Sequence, residues 1–237
     1  MTGGPGVGSA GVTAGEPRPD PALGVFDTLL VRDGVPVDLE AHLDRLARSV
    51  RELYGVPVDV AALAGRLVAD VGGLGWARVR TSYDPGARQW EIVAARIDVP
   101  GLDPRTLTLR RVAGGLGAHK WTDRRLVADP VEADDVLLVD EQDQVLESGT
   151  GNVFIVLADE VVTPPLDGRI LPGTVRARVL AALRSDRHPV AERAVAVAGL
   201  ADATEVFTTS SIRGVQPVTA CTDVGTWAVG PVTSRLR

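Results

Sequence analysis

The sequence predicts a mixed α/β chain, an α+β arrangement in two halves that part near residue 114. Three observations carry this. Short apolar runs rich in Val, Ile, Leu and Thr recur along the chain, bounded by Gly, Pro and Asp turn signals, as strands are. Stretches with apolar residues at helical spacing occur in both halves. Between them, Gly114-Gly115-Leu116-Gly117 interrupts any regular element and reads as a hinge. A chain of 237 residues holds one large domain or two small ones.

Residues 1–22 are rich in Gly, Pro, Ser and Thr and read as a disordered tail, because they offer little apolar surface against the entropy of ordering. Order is expected from Gly24. Residues 25–31 form a strand, Asp33-Gly34 turns it, and Val35-Pro36-Val37 returns. Asp38 is placed to cap a helix whose Leu39, Leu43, Leu46 and Val50 share one face. A second helix spans 58–71 and ends at Gly72-Gly73. Strands follow at 77–83, 90–97 and 107–111, then the glycine hinge, then a helix over 123–128. Further strands are expected at 135–140, 152–157 and 160–163. A helix starts after Pro172-Gly173, runs to about Arg184, and has ended before Pro189. A strand over 190–196, a short helix over 197–200 and a strand over 205–209 complete the reading.

Bulk composition bounds the function. The net charge of −6 gives no general basic footprint for nucleic acid. Runs such as Val153-Phe154-Ile155-Val156-Leu157 are too short to span a bilayer. No charged segment followed by an apolar core opens the chain, so no secretory signal is read. The single cysteine, Cys221, excludes an internal disulfide and suits a reducing cytoplasm. His42, His119 and His188 are scattered, so no metal site is expected.

One residue type stands out. Lys120 is the only lysine among 25 Lys plus Arg residues. Arginine serves wherever a fixed positive charge suffices, but a guanidinium cannot become the neutral amine that attacks a carbonyl. Lys120 is thus a candidate for Schiff-base chemistry; biased codon supply explains the count equally well. Other motifs admit two readings each. Gly173, Thr174 and Val175 open a helix after Leu171-Pro172, which is an anion site or a plain Pro-Gly turn. Ser210 and Ser211 end an apolar strand and either bind phosphate or cap a turn. Glu147 follows an apolar strand and reads as a surface loop carboxylate or as the acid that would hold a ring nitrogen protonated. Arg45 either snorkels beside an apolar stripe or clamps an anion.

Taken together, these residues resemble the fold-type IV pyridoxal-phosphate enzymes, the class IV aminotransferase family of branched-chain and D-amino-acid aminotransferases and 4-amino-4-deoxychorismate lyases. Gly24-Val25-Phe26-Asp27-Thr28 is similar to the family's Gly-Val-Phe-Glu-Thr strand, with Asp for Glu. His42-Leu43-Asp44-Arg45-Leu46 matches its His-Leu-x-Arg-Leu helix. Lys120, Glu147 with Gly151-Asn152-Val153-Phe154, Leu171-Pro172-Gly173 with Arg176, and Glu205-Val206-Phe207 through Pro217-Val218 follow in family order. The resemblance implies a D-amino-acid aminotransferase-like fold, with a small α/β domain over 23–113, a hinge over 114–120 and a larger domain over 121–237. Pyridoxal 5'-phosphate would lie between them. It implies Lys120 as the catalytic lysine and Arg45, Glu147, Gly173, Thr174, Val175, Ser210 and Ser211 as cofactor-binding residues. It also implies a small-molecule substrate and a homodimer.

His119-Lys120-Trp121-Thr122-Asp123-Arg124 resembles the lyase form of the lysine motif more than the aminotransferase form. The expected reaction is therefore conversion of 4-amino-4-deoxychorismate to 4-aminobenzoate and pyruvate, with a synthase as a possible partner. The alternatives are a branched-chain or D-amino-acid aminotransferase, and a cofactor-binding protein without turnover. The short hairpin 83–88 stands where many members carry a Thr-Arg-Gly carboxylate-binding loop, so carboxylate recognition is left open.

Overall fold

The computed structural model describes residues 18–101, 103–128 and 132–237. Of the expected tail, residues 1–17 lie outside the described residues. Order begins earlier than Gly24: Pro21–Leu23 form a 3-10 turn capped by Asp20. The Asp20 N–H donates to Asp123 Oδ2 at 2.9 Å, and the Tyr54 hydroxyl donates to the Pro21 carbonyl at 2.9 Å.

The first sheet has the order β2-β1-β3-β4, with β1 Val25–Arg32, β2 Val35–Pro36, β3 Ala77–Asp84 and β4 Gln89–Arg96. Its β1–β3 pairing is antiparallel and sets Phe26 opposite Ser82, Thr28 opposite Arg80 and Leu30 opposite Arg78. Because successive side chains alternate between faces, this register fixes two surfaces. One carries Leu29, Val31, Ala77 and Val79 into a core with Leu43, Leu63 and Leu67. These last residues come from α1 Leu39–Tyr54 and α2 Val60–Val71. The other surface carries Phe26, Thr28, Arg78 and Arg80.

The Asp38 cap is a correction. Asp38 precedes α1 in a left-handed conformation, φ 53°, and makes no capping bond. Its carboxylate instead takes a bond from Arg178 Nη1 at 2.7 Å, so a partner distant in sequence outcompetes the local one. Asp59 does cap α2, accepting from the Ala62 N–H.

The second sheet follows the order β10-β9-β8-β11-β12-β5-β6-β7. Its strands are β5 Arg105–Arg111, β6 Asp135–Val139, β7 Val145–Ser148, β8 Asn152–Leu157, β9 Glu160–Thr163, β10 Val190–Glu192, β11 Ala203–Ser210 and β12 Gly214–Cys221. A two-residue β13, Gly225–Thr226, edges β12. β7 pairs with both β6 and β8, so β8, β11, β12, β5, β6 and β7 close into a ring. Closure removes edges that would otherwise template further pairing. Leu107, Leu137, Val153, Ile155 and Val206 fill one core of this unit. On the alternate face of β8 and β11, Phe154 and Phe207 stack at 4.9 Å and pack under α3 Thr174–Ser185.

β5 precedes the split expected near 114 yet pairs on both sides within this larger sheet. The helix expected over 123–128 is a second correction: residues 125–127 form only a turn. Asp123 spends its carboxylate on the Arg125 N–H and guanidinium and on the Asp20 N–H, which holds the chain in a tight bend. The strand expected over 190–196 stops at Glu192, with Ala196 making a single bridge to Gln144. A last helix, α4 Pro231–Leu236, is present but short; Glu205 caps it by accepting from the Val232 and Thr233 N–H groups.

Candidate active site

Lys120 is placed by β1. The Phe26 N–H donates to the Lys120 carbonyl at 2.9 Å, the Thr122 N–H donates to the Gly24 carbonyl at 3.0 Å, and Val25 bridges Trp121. The Trp121 indole donates to the Leu116 carbonyl at 2.7 Å, closing the glycine loop behind it. In that loop Gly114, Gly115 and Gly117 all have positive φ. A β-carbon on Gly115 would also sit 2.2 Å from the Arg169 carbonyl oxygen, which accounts for the glycine there.

The Lys120 amine lies 5.1 Å from the centroid of the Phe26 ring, over which the Arg80 guanidinium also packs at 3.8 Å. Lys120 keeps some surface open to a cavity, but the protein crowded around its amine dominates its chemistry. Burial, then the charge of Arg45, pull its pKa down to about 8, against the opposing pull of Asp27 and Glu147. Glu147, on β7, is buried. Burial pushes its carboxyl up to about 8 even though the Leu171 N–H and the charges of Lys120, Arg124 and Arg45 act the other way. The Leu171 N–H donates to Glu147 Oε2 at 3.2 Å, and the Asn152 amide lies 3.4 Å from the same oxygen.

Arg45, on α1, is buried and turned inward. Its Nε and Nη2 donate to Asp27 at 2.8 and 2.9 Å, and its Nη1 donates to the Pro172 carbonyl at 3.0 Å. A guanidinium has five N–H donors, so two remain beyond these three bonds. Burial disfavours the Asp27 carboxylate, but Arg45 and His42 outweigh it and hold its pKa at about 2. His42 Nδ1 donates to Asp27 Oδ1 at 2.7 Å, since an ionised carboxylate only accepts, and the Thr174 hydroxyl lies 3.3 Å from His42 Nε2.

Gly173 precedes α3, and no side chain caps that helix. A β-carbon at Gly173 would meet Asn152 Oδ1 at 2.0 Å, so the turn runs as close to β8 as glycine allows. The Val175 side chain packs into the core under α3, which leaves only its N–H for any ligand. Ser211 donates its hydroxyl to the Thr28 carbonyl at 2.6 Å, and Ser210 Oγ accepts from the Arg213 N–H at 3.3 Å. Thr209 Oγ1, buried beside them, has no partner among the described residues.

A cavity of about 440 Å³ opens beside Lys120; of the residues expected at the site, Arg45, Gly173, Thr174 and Val175 line neither it nor the small space adjoining it. Lys120, Ser210 and Ser211 line the cavity, and so do Arg78, Arg80, Arg105, Arg124 and Arg213. The sequence reading assigned none of these arginines to the site, although Arg124 stands in the motif around Lys120. One signal was available, since Arg78 and Arg80 stand two apart on a strand and so share its non-core face. Glu147 and Leu171 meet Lys120 in a small adjoining space. Among the described residues there is no cluster of metal-ligating side chains, and no helix is long and apolar enough to cross a membrane.

Two packed sheet units with a buried amine and a buried carboxyl between their elements define the class, and comparison places the chain within it. Residues 24–221 match the class IV aminotransferase family, and the chain belongs to that family of pyridoxal-phosphate-dependent enzymes. A probable branched-chain-amino-acid aminotransferase of Thermotoga maritima is 28% identical over 227 residues, covering 90% of this chain and 83% of that protein. The crystal structure of 4-amino-4-deoxychorismate lyase from Pseudomonas aeruginosa superposes with a TM-score of 0.74 at 28% identity, covering 97% of this chain and 94% of that one. A putative branched-chain aminotransferase structure from Thermotoga maritima gives 0.80 at 27% identity, covering 95% and 90%.

Proposed function

We propose that this chain is a lyase converting 4-amino-4-deoxychorismate to 4-aminobenzoate and pyruvate. The observation that carries the reading is the charge of the cavity beside Lys120. Its lining includes five arginines and, as large apolar groups, only Phe26 and Ile212. A branched-chain amino acid needs an apolar pocket for its side chain. A substrate with carboxylates on both its ring and its enolpyruvyl arm suits guanidinium donors instead.

The residues present fit pyridoxal phosphate. The fit rests on the lowered amine pKa of Lys120, the buried acid Glu147, the uncapped start of α3 at Thr174 and Val175, and the unpartnered Thr209 hydroxyl. Arg45, Thr174 and Val175, with Ser210 and Ser211, would hold its phosphate, and Glu147 would face its ring nitrogen. When bound, the cofactor supplies a carbonyl for amines and an electron sink.

The proton steps belong to this chain. With its pKa near 8, Lys120 can present a neutral amine at moderate pH and remove the proton from the amine-bearing ring carbon. The bond between the neighbouring ring carbon and the enolpyruvyl oxygen then breaks, and the electrons left by the proton form the third double bond of the now aromatic ring. Lys120 returns the proton to the methylene carbon of the departing enolate, giving pyruvate. Arg80 and Arg124 flank the lysine and orient carboxylates. Glu147 would accept the N–H of the cofactor's ring nitrogen as a carboxylate and so keep that nitrogen protonated, the form that draws electrons. We further propose a homodimer in the cytoplasm, supplied by a synthase.

A second reading, transamination, is favoured by the similarity to the Thermotoga maritima aminotransferase. Supplying 4-amino-4-deoxychorismate generated in place separates the two. Release of 4-aminobenzoate and pyruvate without a keto acid supports the lyase. Amino transfer to 2-oxoglutarate with no 4-aminobenzoate overturns it.

A further inference from the structure

We propose that Arg78, Arg105 and Arg213 form a second anion subsite, separate from the reacting end of the cavity, that selects substrates carrying a carboxylate remote from the amine. The inference rests on the reading of this cavity as the substrate site, and it holds for either reaction there.

The placement follows from strand register. Phe26 is bonded to the Lys120 backbone, whereas Arg78 stands opposite Leu30, four residues further along β1. At a rise of roughly 3.3 Å per residue, that sets the Arg78 backbone about 13 Å along the strand from the lysine. Arg80 lies between, opposite Thr28. The Ser211 hydroxyl bonds the Thr28 carbonyl, which docks the turn between β11 and β12 against the same stretch of β1. Arg213 projects from that turn. Arg105 enters from the start of β5, with Nη2 donating to the Asp134 carbonyl at 2.5 Å and Nε buried without a partner.

The charge balance is the second argument. This chain is acidic overall, and among the described residues its two buried arginines are paired with carboxylates, Arg45 with Asp27 and Arg176 with Glu192, as half-buried Arg169 is with Asp140 and Asp167. Arg110 instead bonds backbone carbonyls, and exposed arginines such as Arg48 and Arg66 form no ion pair. Among the described residues, none of the cavity arginines forms a direct ion pair; Glu91 attracts Arg80, and Asp135 and Glu147 attract Arg124, from further off, and Arg78, Arg105 and Arg213 have no ion pair. Arg78 and Arg80 also repel each other, and burial and that repulsion lower the Arg80 pKa. Like charges gathered around a cavity cost stability until an anion enters, so the cluster is best explained by a ligand with more than one negative charge. The carboxylate nearest the amine falls to Arg80 and Arg124, and the remote one to the outer three.

The test uses the protein reconstituted with pyridoxal phosphate and calorimetric titration with isophthalate and with benzoate, which differ by one carboxylate. The wild type should bind isophthalate roughly tenfold or more tightly than benzoate, the yield of one good charge-assisted contact. Arg213→Gln and Arg78→Gln should each remove most of that preference while leaving benzoate affinity unchanged. Both side chains are exposed, and circular dichroism checks that the fold survives. Equal binding of the two ligands by the wild type overturns the proposal, including the case in which carboxylates of a second copy fill the arginines. So does a preference that both variants retain. Absence of 4-aminobenzoate production with the preference intact overturns the lyase reaction alone.

Discussion

Asp27 grips Arg45 with both carboxylate oxygens, at 2.8 Å to Nε and 2.9 Å to Nη2, and both side chains are buried. Asp27 belongs to the strand that presents Phe26 to the cavity, and Arg45 reaches on to the Pro172 carbonyl ahead of α3. The pair therefore ties the first sheet to the turn before the helix expected to bind phosphate. Removing one partner leaves a buried charge. Asp27→Asn should cost about 3–5 kcal/mol of stability by denaturant unfolding.

The pH dependence of that pair has a definite sign. The Asp27 pKa is depressed from 3.8 to about 2 on folding, so its stabilisation is complete above pH 3.8 and lost as pH falls through 2. Asp27→Asn should unfold with a flatter stability profile across this acid window, measured by urea melts at stepped pH. An unchanged slope would show that the pair is not formed.

Glu147 and Lys120 act in the opposite sense to each other. Glu147 is raised from 4.5 to about 8, so the folded state holds a proton the unfolded chain has lost, and stability falls as pH rises from 4.5 to 8. Lys120 is lowered from 10.5 to about 8, so stability recovers between 8 and 10.5. Glu147→Gln should abolish the decline between pH 4.5 and 8 and gain on the wild type across it. Melting temperatures at pH 5 and pH 8 check this.

Because Lys120 is the sole lysine, its chemistry can be tracked without ambiguity. Borohydride reduction after adding pyridoxal phosphate should place one covalent pyridoxyl mass on the peptide containing Lys120. Lys120→Arg keeps the charge but should lose both the adduct and turnover, because a guanidinium does not supply a neutral amine. Turnover retained in that variant would rule out the assigned role.

Gly173 is tight for a steric reason, not a conformational one, since its φ is −71°. Gly173→Ala drives a methyl into Asn152 Oδ1, whose amide donates to the Leu171 carbonyl at 2.9 Å and faces Glu147. The expected cost is about 1–3 kcal/mol, as for other overpacked sites. Adding Asn152→Ala should recover part of it in a double-mutant cycle, whereas strictly additive losses would place the strain elsewhere.

The motif strand, the first two helices, the Pro-Gly turn and Lys120 were legible because each is a local pattern of period, punctuation or scarcity. β7 and β12 were not named in advance. Val145-Leu146-Glu147-Ser148 is too short to show a period, and it becomes a strand only by pairing on both sides to close the ring. The 123–128 helix failed because Asp123 bonds Asp20, about a hundred positions away, and no local pattern reports that.

The sequence alone determined the family, the one amine able to attack a carbonyl, and the order of the motifs around it, because these reside in residue identity and spacing. Tertiary structure decided what surrounds that amine. Arg78, Arg80, Arg105, Arg124 and Arg213 each look like ordinary charges along the chain. Only strand pairing and the docked turn at Ser211 bring them to one cavity. Coulomb interactions depend on distance in space and not on separation along the chain.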